Sequence, residues 1–252
     1  MEVAAPDLSR ICGIALNGDP ENNSIDVRDY QTFWLGVKTN LKGYNPTAPD
    51  AVLPALADIS AYLYNDHNTD PLIKAALVHY QFEMIHPFER YNGIVGRIIV
   101  PMVLRDTIGE AMPLICLSEY LYHNKYEYFD LLRTTQYSGG HIRWIKFFVC
   151  AVGEAAKQSA KLLAQYENDI LWAEQQIKEN TLSSKSIWGV YNYLKRYPVS
   201  SISRATEQTR FSFNSISKAM QSLKETGIVQ ETAEVRNRIW VHKKLIENLW
   251  YF

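Results

Sequence analysis

The chain has 252 residues, of which 47% are hydrophobic and 21% charged, with a formal net charge of −1. That length suits one large domain or a core domain with a small appendage, and the composition describes a globular protein rather than a disordered tail. So small a net charge gives no global electrostatic case for nucleic acid or a membrane surface, and no run approaches the roughly 18 apolar residues of a membrane helix.

Residues 1–24 are mixed and rich in turn formers, among them Asn17-Gly18-Asp19-Pro20. The stretch that follows carries β-favouring aromatics and two glycines, Gly36 and Gly43, and predicts a short hairpin over about 28–45. Asp50 then stands as an N-cap before AVLPALADISAYLYND, where Leu53, Leu56, Ile59 and Leu63 recur at helical spacing. Asp70-Pro71 opens the next helix in the favoured order, a capping residue and then proline in the first turn. Its body, PLIKAALVHYQFEMI, is apolar on most sides, which predicts a central buried helix ending at His86-Pro87. Another helix starts near Gly93, with a kink expected at Pro101. Further helices are expected at 118–136, 141–157 and 158–180.

From about residue 184 the pattern changes. SKSIWGVYNYLKRYP reads as a helix, a Ser-rich helix follows, and a third presents Phe213, Ile216, Met220 and Leu223 on one face. Gly227 ends that third helix as a left-handed cap would. IVQETAEVRNRIWVH then alternates like two strands joined by a polar turn. Three helices and a hairpin in so short a stretch is the layout of a winged helix, which divides the chain into a helical domain over 1–180 and a winged-helix domain over 184–252. The latter holds eleven basic and five acidic residues, an excess of six positive charges inside a nearly neutral chain. Lys218 and Gln221 on its third helix, with Arg236 and Arg238 on the wing, are the residues that would touch DNA; many winged helices serve protein contacts instead.

The three cysteines, Cys12, Cys116 and Cys150, are widely spaced with no C-x-x-C pair, so neither a zinc site nor a disulfide framework is expected. Cys116 and Cys150 lie in apolar stretches and read as small buried hydrophobes. The first residues, MEVAAPDLSRICGIALNGD, lack a basic region followed by an apolar block, so no signal peptide and a cytoplasmic location are expected.

One segment carries the chemistry: His86-Pro87-Phe88-Glu89-Arg90-Tyr91-Asn92-Gly93, between two apolar helices. A helix start offers unpaired backbone N–H groups and a partial positive charge, which together cradle a phosphate. A histidine ending the preceding helix can reach over that cradle as general base. Arg97, a turn into the second helix, offers a forked donor set for a terminal phosphate. Without that context, a histidine at this position would more often be an ordinary helix cap. His79, on the buried helix, reads as a satisfied core histidine.

QFEMIHPFERYNGIVGR resembles the motif of the Fic family, H-P-F-x-(D/E)-G-N-G-R-x-x-R. KAALVHYQFEMIHPF is similar to the helix entering that motif, PLICLSEYLYHNKYEYFDLL to the segment after it, and WIKFFV to a later helix, so the resemblance spans roughly 25–175. It implies a mainly α fold: a Fic-type helical bundle with a short β-hairpin flap, plus the winged-helix domain. It also implies transfer of AMP from ATP to a Ser, Thr or Tyr hydroxyl of a target protein, which would pair with the flap by strand addition. By position in the motif, His86 matches the base, Phe88 the core anchor, Asn92 and Gly93 the anion nest, and Arg97 the arginine on the terminal phosphate.

Three positions depart from the pattern. Arg90 stands where the acidic metal ligand belongs, Tyr91 where the first nest glycine belongs, and Ile94 where the first arginine belongs. A Mg²⁺ ion loses its carboxylate ligand, and Arg90 could itself neutralise phosphate. Tyr91 resists the positive φ that glycine adopts freely, which predicts a reshaped nest. Ile94 removes a charge-assisted contact worth about 1.5–3 kcal/mol. Either an altered transfer activity or a site turned to binding follows. Tyr126 and Tyr128 either border an adenine pocket, as the resemblance implies, or pack as ordinary helix residues. Glu21-Asn22 is no convincing match to the family's inhibitory helix. The aromatic residues (six Trp, sixteen Tyr) make a homodimer an open alternative.

Overall fold

The computed structural model describes residues 14, 26–33, 43–109, 115–180, 184–232 and 238–250. It is mainly α, in two compact units, Met1–Ser159 and Ala160–Phe252. Among the described residues of the first unit are α1 (Val52–Asn65), α2 (Pro71–Ile85), α3 (Asn92–Ile108), α4 (Leu117–His123), α5 (Lys125–Ser138) and the start of α6 (His141–Glu179).

α2 begins as expected, with the Asp70 carboxylate accepting from the amides of Leu72 and Ile73 and Pro71 in the first turn. α1 does not: Asp50 lies inside a 3-10 turn, Pro49–Ala51, and the N-cap is Ala51, whose side chain caps nothing. α2 is the central helix. One side of it, with α1 and α3, encloses Leu56, Phe82, Ile85, Phe88, Val95 and Ile99. The other side packs on α5 and α6 around Leu132, Trp144 and Phe148. α3 runs unbroken through Pro101, although the missing proline N–H removes one helical hydrogen bond. Cys116 and Cys150 are exposed, which corrects their reading as buried hydrophobes: Cys116 stands just before α4 and Cys150 on the outer face of α6. Of the expected hairpin at 28–45, residues 34–42 lie outside the described residues; 26–33 is irregular and Tyr44 makes a single bridge.

The two helices expected at 141–157 and 158–180 are one, α6. Nothing in that stretch is strong enough to stop a helix, since Gly153 costs only about 1 kcal/mol in a helix interior. The division between the two units falls within α6 rather than after it.

The second unit continues with α7 (Lys185–Arg196), β1 (Val199–Ser201), α8 (Ile202–Gln208), α9 (Phe213–Glu225), β2 (Val229–Glu231), β3 (Ile239–His242) and α10 (Lys243–Trp250). Serines cap three of these helices: Ser184, Ser201 and Ser212 accept from the amides of Ile187, Arg204 and Ser215. Gly227 takes φ +75, the left-handed geometry expected after α9. The sheet is antiparallel in the order β1-β3-β2, with Val199 opposite Val241 and Glu231 opposite Trp240. β1 and α10 have no counterpart among the elements expected from the sequence, because each is too short for its periodicity to register. Tyr191, Leu194, Ile216, Met220 and Trp240 form the core of this unit.

Candidate functional site

The site is the turn from α2 to α3. His86 closes α2 in the left-handed region, at φ 48 and ψ 60, and its amide still donates to the Phe82 carbonyl. Pro87 bars another helical turn at that point. Phe88, wholly buried, plugs the core between α2 and α3. Asn92, only 2% exposed, braces the loop from inside: its Oδ1 accepts from the Phe88 amide at 2.9 Å and its Nδ2 donates to the Phe88 carbonyl at 2.8 Å. Its carboxamide is therefore committed to the loop, and what Asn92 and Gly93 present at the helix start is backbone amide. Those amides precede the first helical donors, Ile94 and Val95, both of which bond to the Tyr91 carbonyl.

Tyr91 holds φ 67 and ψ 10. This corrects the expectation of a reshaped nest: the chain keeps the left-handed turn where a glycine would adopt it freely, at a cost of about 1–2 kcal/mol. Buried Phe88 and the Asn92 bonds on either side hold the path that tyrosine disfavours.

Three further side chains belong to the site and were not singled out from the sequence. Arg28 is 4% exposed, with Nε donating to His86 O (2.8 Å), Nη1 to Tyr30 O (2.8 Å) and Nη2 to Ile85 O (3.0 Å) and Thr47 O. Its own amide donates to Pro87 O at 2.9 Å. Tyr44 is buried with its hydroxyl 3.4 Å from His86 Nδ1. Glu83 is 4% exposed, and its Oε1 has no hydrogen-bond partner. It lies where α2 and α3 approach closely: a Cβ on Gly96 would stand 2.7 Å from Glu83 Oε1. Glu83 had a signal in the sequence, as the one acid on a helix apolar nearly all round. Arg28 had none, because all but one of its side-chain partners are carbonyls remote in the chain.

The electrostatics follow from burial. The His86 pKa falls to about 4, first because burial disfavours the imidazolium and second because Arg28 repels it. His86 is thus a neutral imidazole at neutral pH. Burial pushes the Glu83 carboxyl up to about 7, with the Arg97 guanidinium pulling the other way. Burial also raises the Tyr44 hydroxyl, and Glu83 adds to that. Arg97 donates from Nε to Ser118 Oγ at 2.9 Å, and its Nη1 lies 3.1 Å from where a Gly93 Cβ would stand. The forked end of Arg97 therefore reaches the start of α3.

The rewritten positions face outward or offer no charge. Arg90 and Glu89 pair at 3.9 Å with side chains 74% and 65% exposed. Ile94 is half-buried. Among the described residues no three His, Cys, Asp or Glu side chains cluster as metal ligands. Arg90 brings a cation to the ligand position, and the buried acid Glu83 is tucked under Gly96. The residues present do not fit a divalent ion at this loop.

Tyr128 takes the packing alternative: it is buried, and its hydroxyl lies 3.0 Å from Nε2 of His79. His79 is a core histidine, its Nδ1 2.9 Å from the Gly96 carbonyl and its ring stacked on Trp144. Tyr126 is about half exposed, with Lys125 Nζ 5.6 Å from its ring centre. A cavity of about 600 Å³ lined by Leu63, Asp66, Lys74, Met102 and Arg105 lies at the opposite end of α2 and contains none of the loop. In the second unit Lys218 and Gln221 are exposed on α9, while Arg238 pairs with Glu231 at 3.1 Å. Arg236 lies outside the described residues.

The His86 loop lies inside the stretch that is similar to known proteins. The sequence model of the Fic/DOC family matches residues 13–104. A protein adenylyltransferase fic-1 of Caenorhabditis briggsae is 38% identical over 64 residues, 24% of this chain and 12% of that protein. A probable protein adenylyltransferase of Aquifex aeolicus is 28% identical over 119 residues, 42% of this chain and 34% of the other. The match thus spans about an eighth of the nematode protein and a third of the bacterial one. A Fic family protein from Desulfovibrio desulfuricans G20 shares the fold, with a TM-score of 0.53 at 16% identity over 94% of this chain and 68% of its own. The Fic/DOC family match lies over α1, α2, the His86 loop and most of α3, so residues 13–104 of this chain are similar to a Fic domain.

Proposed function

We propose that this chain binds a nucleoside triphosphate at the start of α3 and transfers AMP from ATP to a Ser, Thr or Tyr hydroxyl of a target protein, at a rate below that of a Fic domain with its full motif. The observation that carries this reading is His86: a neutral imidazole at neutral pH, fixed in a left-handed cap at the end of α2, one short loop before the helix start at Asn92 and Gly93. His86 takes the proton of the attacking hydroxyl. The hydroxyl oxygen forms a bond to the α-phosphorus, the bond to the bridging oxygen breaks, and pyrophosphate leaves. Asn92 and Gly93 amides hold phosphate oxygens, and Arg97 neutralises the terminal phosphate.

The rate is lowered because Ile94 supplies no charge and Arg90 supplies the wrong one for a metal. Those same two residues support a second reading, in which the domain binds a nucleotide or a partner without chemistry. The supporting feature is that Arg90 and Glu89 pair with each other in solvent. In either case the second unit serves as a winged helix that engages DNA or a protein partner through Lys218, Gln221 and Arg238.

Incubation with α-labelled ATP separates the two readings. Label transferred to the chain or to added proteins by the native sequence and lost in His86→Ala is the expected result. Equal label in both forms, or none in either, overturns the transferase reading. For the second unit, DNA retardation that weakens with salt is expected, and no retardation at low salt points to a protein partner.

A further inference from the structure

We propose that Arg28 is the positioning residue of this site, fastening His86 in its left-handed cap and tying the base to the two chain segments that flank residues 34–42. The inference rests on the transferase reading for its consequence but not for its geometry.

The last carbonyls of a helix have no partners of their own and need donors from elsewhere. At the end of α2 the Thr47 amide serves the Met84 carbonyl (3.0 Å), and Arg28 serves the three that follow. Nε and Nη2 of Arg28 reach the carbonyls of His86 (2.8 Å) and Ile85 (3.0 Å), and its amide reaches that of Pro87 (2.9 Å). Three successive carbonyls, those on which the direction of the His86 side chain depends, are thus bound by one residue. Its remaining donors go to Tyr30 O and Thr47 O, on opposite sides of the 34–42 segment. A guanidinium is suited to this, because its donors are fixed in a plane and can be shared among separate acceptors; an ammonium cannot span them. Arg28 is buried, and among the described residues its bonds are to carbonyls and no acid pairs with it.

Among the described residues, few groups face His86. Arg28 comes from the 26–33 segment and Tyr44, its hydroxyl 3.4 Å from Nδ1, from the 43–48 segment. From α2 itself, Glu83 contributes a backbone contact to the imidazole and its carboxyl acts on Tyr44. In the loop, Glu89 and Arg90 pair with each other in solvent. Of these, Arg28 is the group that repels the imidazolium, in agreement with its place against the His86 backbone.

The test follows the imidazoles of the full chain, labelled at Cε1, by NMR across pH 3–8, with His86→Ala assigning the His86 signal. In Arg28→Gln the His86 titration midpoint should rise by about one pH unit toward the ordinary histidine value. The signals of His79, in the α2–α5 core, and His242, on β3, should keep their midpoints. Midpoints that all move together would make Arg28 a general stabiliser, and an unmoved His86 would leave it no role; either overturns the proposal. Should Arg28→Gln not fold, Arg28→Lys decides. It keeps the charge and loses the fork, so the His86 resonance should shift while His79 and His242 stay; an unshifted His86 overturns the inference. Because no step reads transfer, a chain that lacks AMP-transfer activity still shows whether Arg28 holds His86.

Discussion

Asn92 and Phe88 are bonded to each other twice, the carboxamide of one accepting from the amide of the other and donating to its carbonyl. This closed pair lies under the loop and is what the first turn of α3 rests on. It predicts that Asn92→Ala leaves both backbone groups of Phe88 buried and unpaired, at a cost of about 3 kcal/mol. Urea unfolding at pH 7 measures it. A loss below about 1 kcal/mol would mean that the loop repairs itself with other partners.

Tyr91 predicts an unusual ranking. At a positive φ, glycine is tolerated and alanine is not. Tyr91→Gly should therefore be more stable than Tyr91→Ala by about 1 kcal/mol, reversing the order found inside a helix. The comparison removes the same ring, 40% exposed, from both variants. Equal thermal midpoints for the two would show that residue 91 is not held left-handed in solution.

Gly96 is a space requirement. A Cβ there would meet Glu83 Oε1 at 2.7 Å, with His79 Cε1 and Phe82 Cδ1 each at 3.2 Å. Gly96→Ala should cost about 1–3 kcal/mol as an overpacked site. Glu83→Ala made in the same chain removes the nearest obstacle, so the double variant should recover part of that loss. Strict additivity in the double-mutant cycle would separate the two residues.

Stability should also depend on pH below neutrality. Burial first of all lowers His79, His86 and His242 to about 4, from an ordinary value of 6.5. Between those values the unfolded chain binds protons that the native chain does not, so stability is highest above 6.5 and is lost as pH falls toward 4. Glu83 works in the opposite sense: raised to about 7 from 4.5, it favours the native state at lower pH and withdraws that support as pH rises through 7. Three groups outweigh one, so the urea midpoint should fall between pH 6.5 and 4, and His79→Gln should flatten the slope. A midpoint that rises on acidification would show that Glu83 dominates.

Much of this protein was legible from its residues because the signals are local. Asp70-Pro71 announces α2 and is found capping it. The His-Pro break, the Asn-Gly restart and the buried Phe88 mark the turn, and Gly227 marks the end of α9. Periodicity alone identified a mainly α chain and a basic tail of a different pattern. Cys116 and Cys150 misled, because an apolar neighbourhood in sequence does not say whether a residue lies at a helix start or on which face of a helix it falls. The uninterrupted α6 was missed for a related reason, since no residue in the sequence requires a break there or forbids one.

What the sequence by itself determined is the succession of helices as far as α3, the loop between α2 and α3, and the three positions at which that loop departs from the family motif. Tertiary structure alone decided what those departures mean. Tyr91 keeps a glycine's conformation because the packing on both sides outweighs its steric preference. Arg90 turns to Glu89 and solvent. His86 is held by Arg28, more than fifty residues earlier in the chain, because the carbonyls at a helix end can be satisfied by any donor the fold brings within reach.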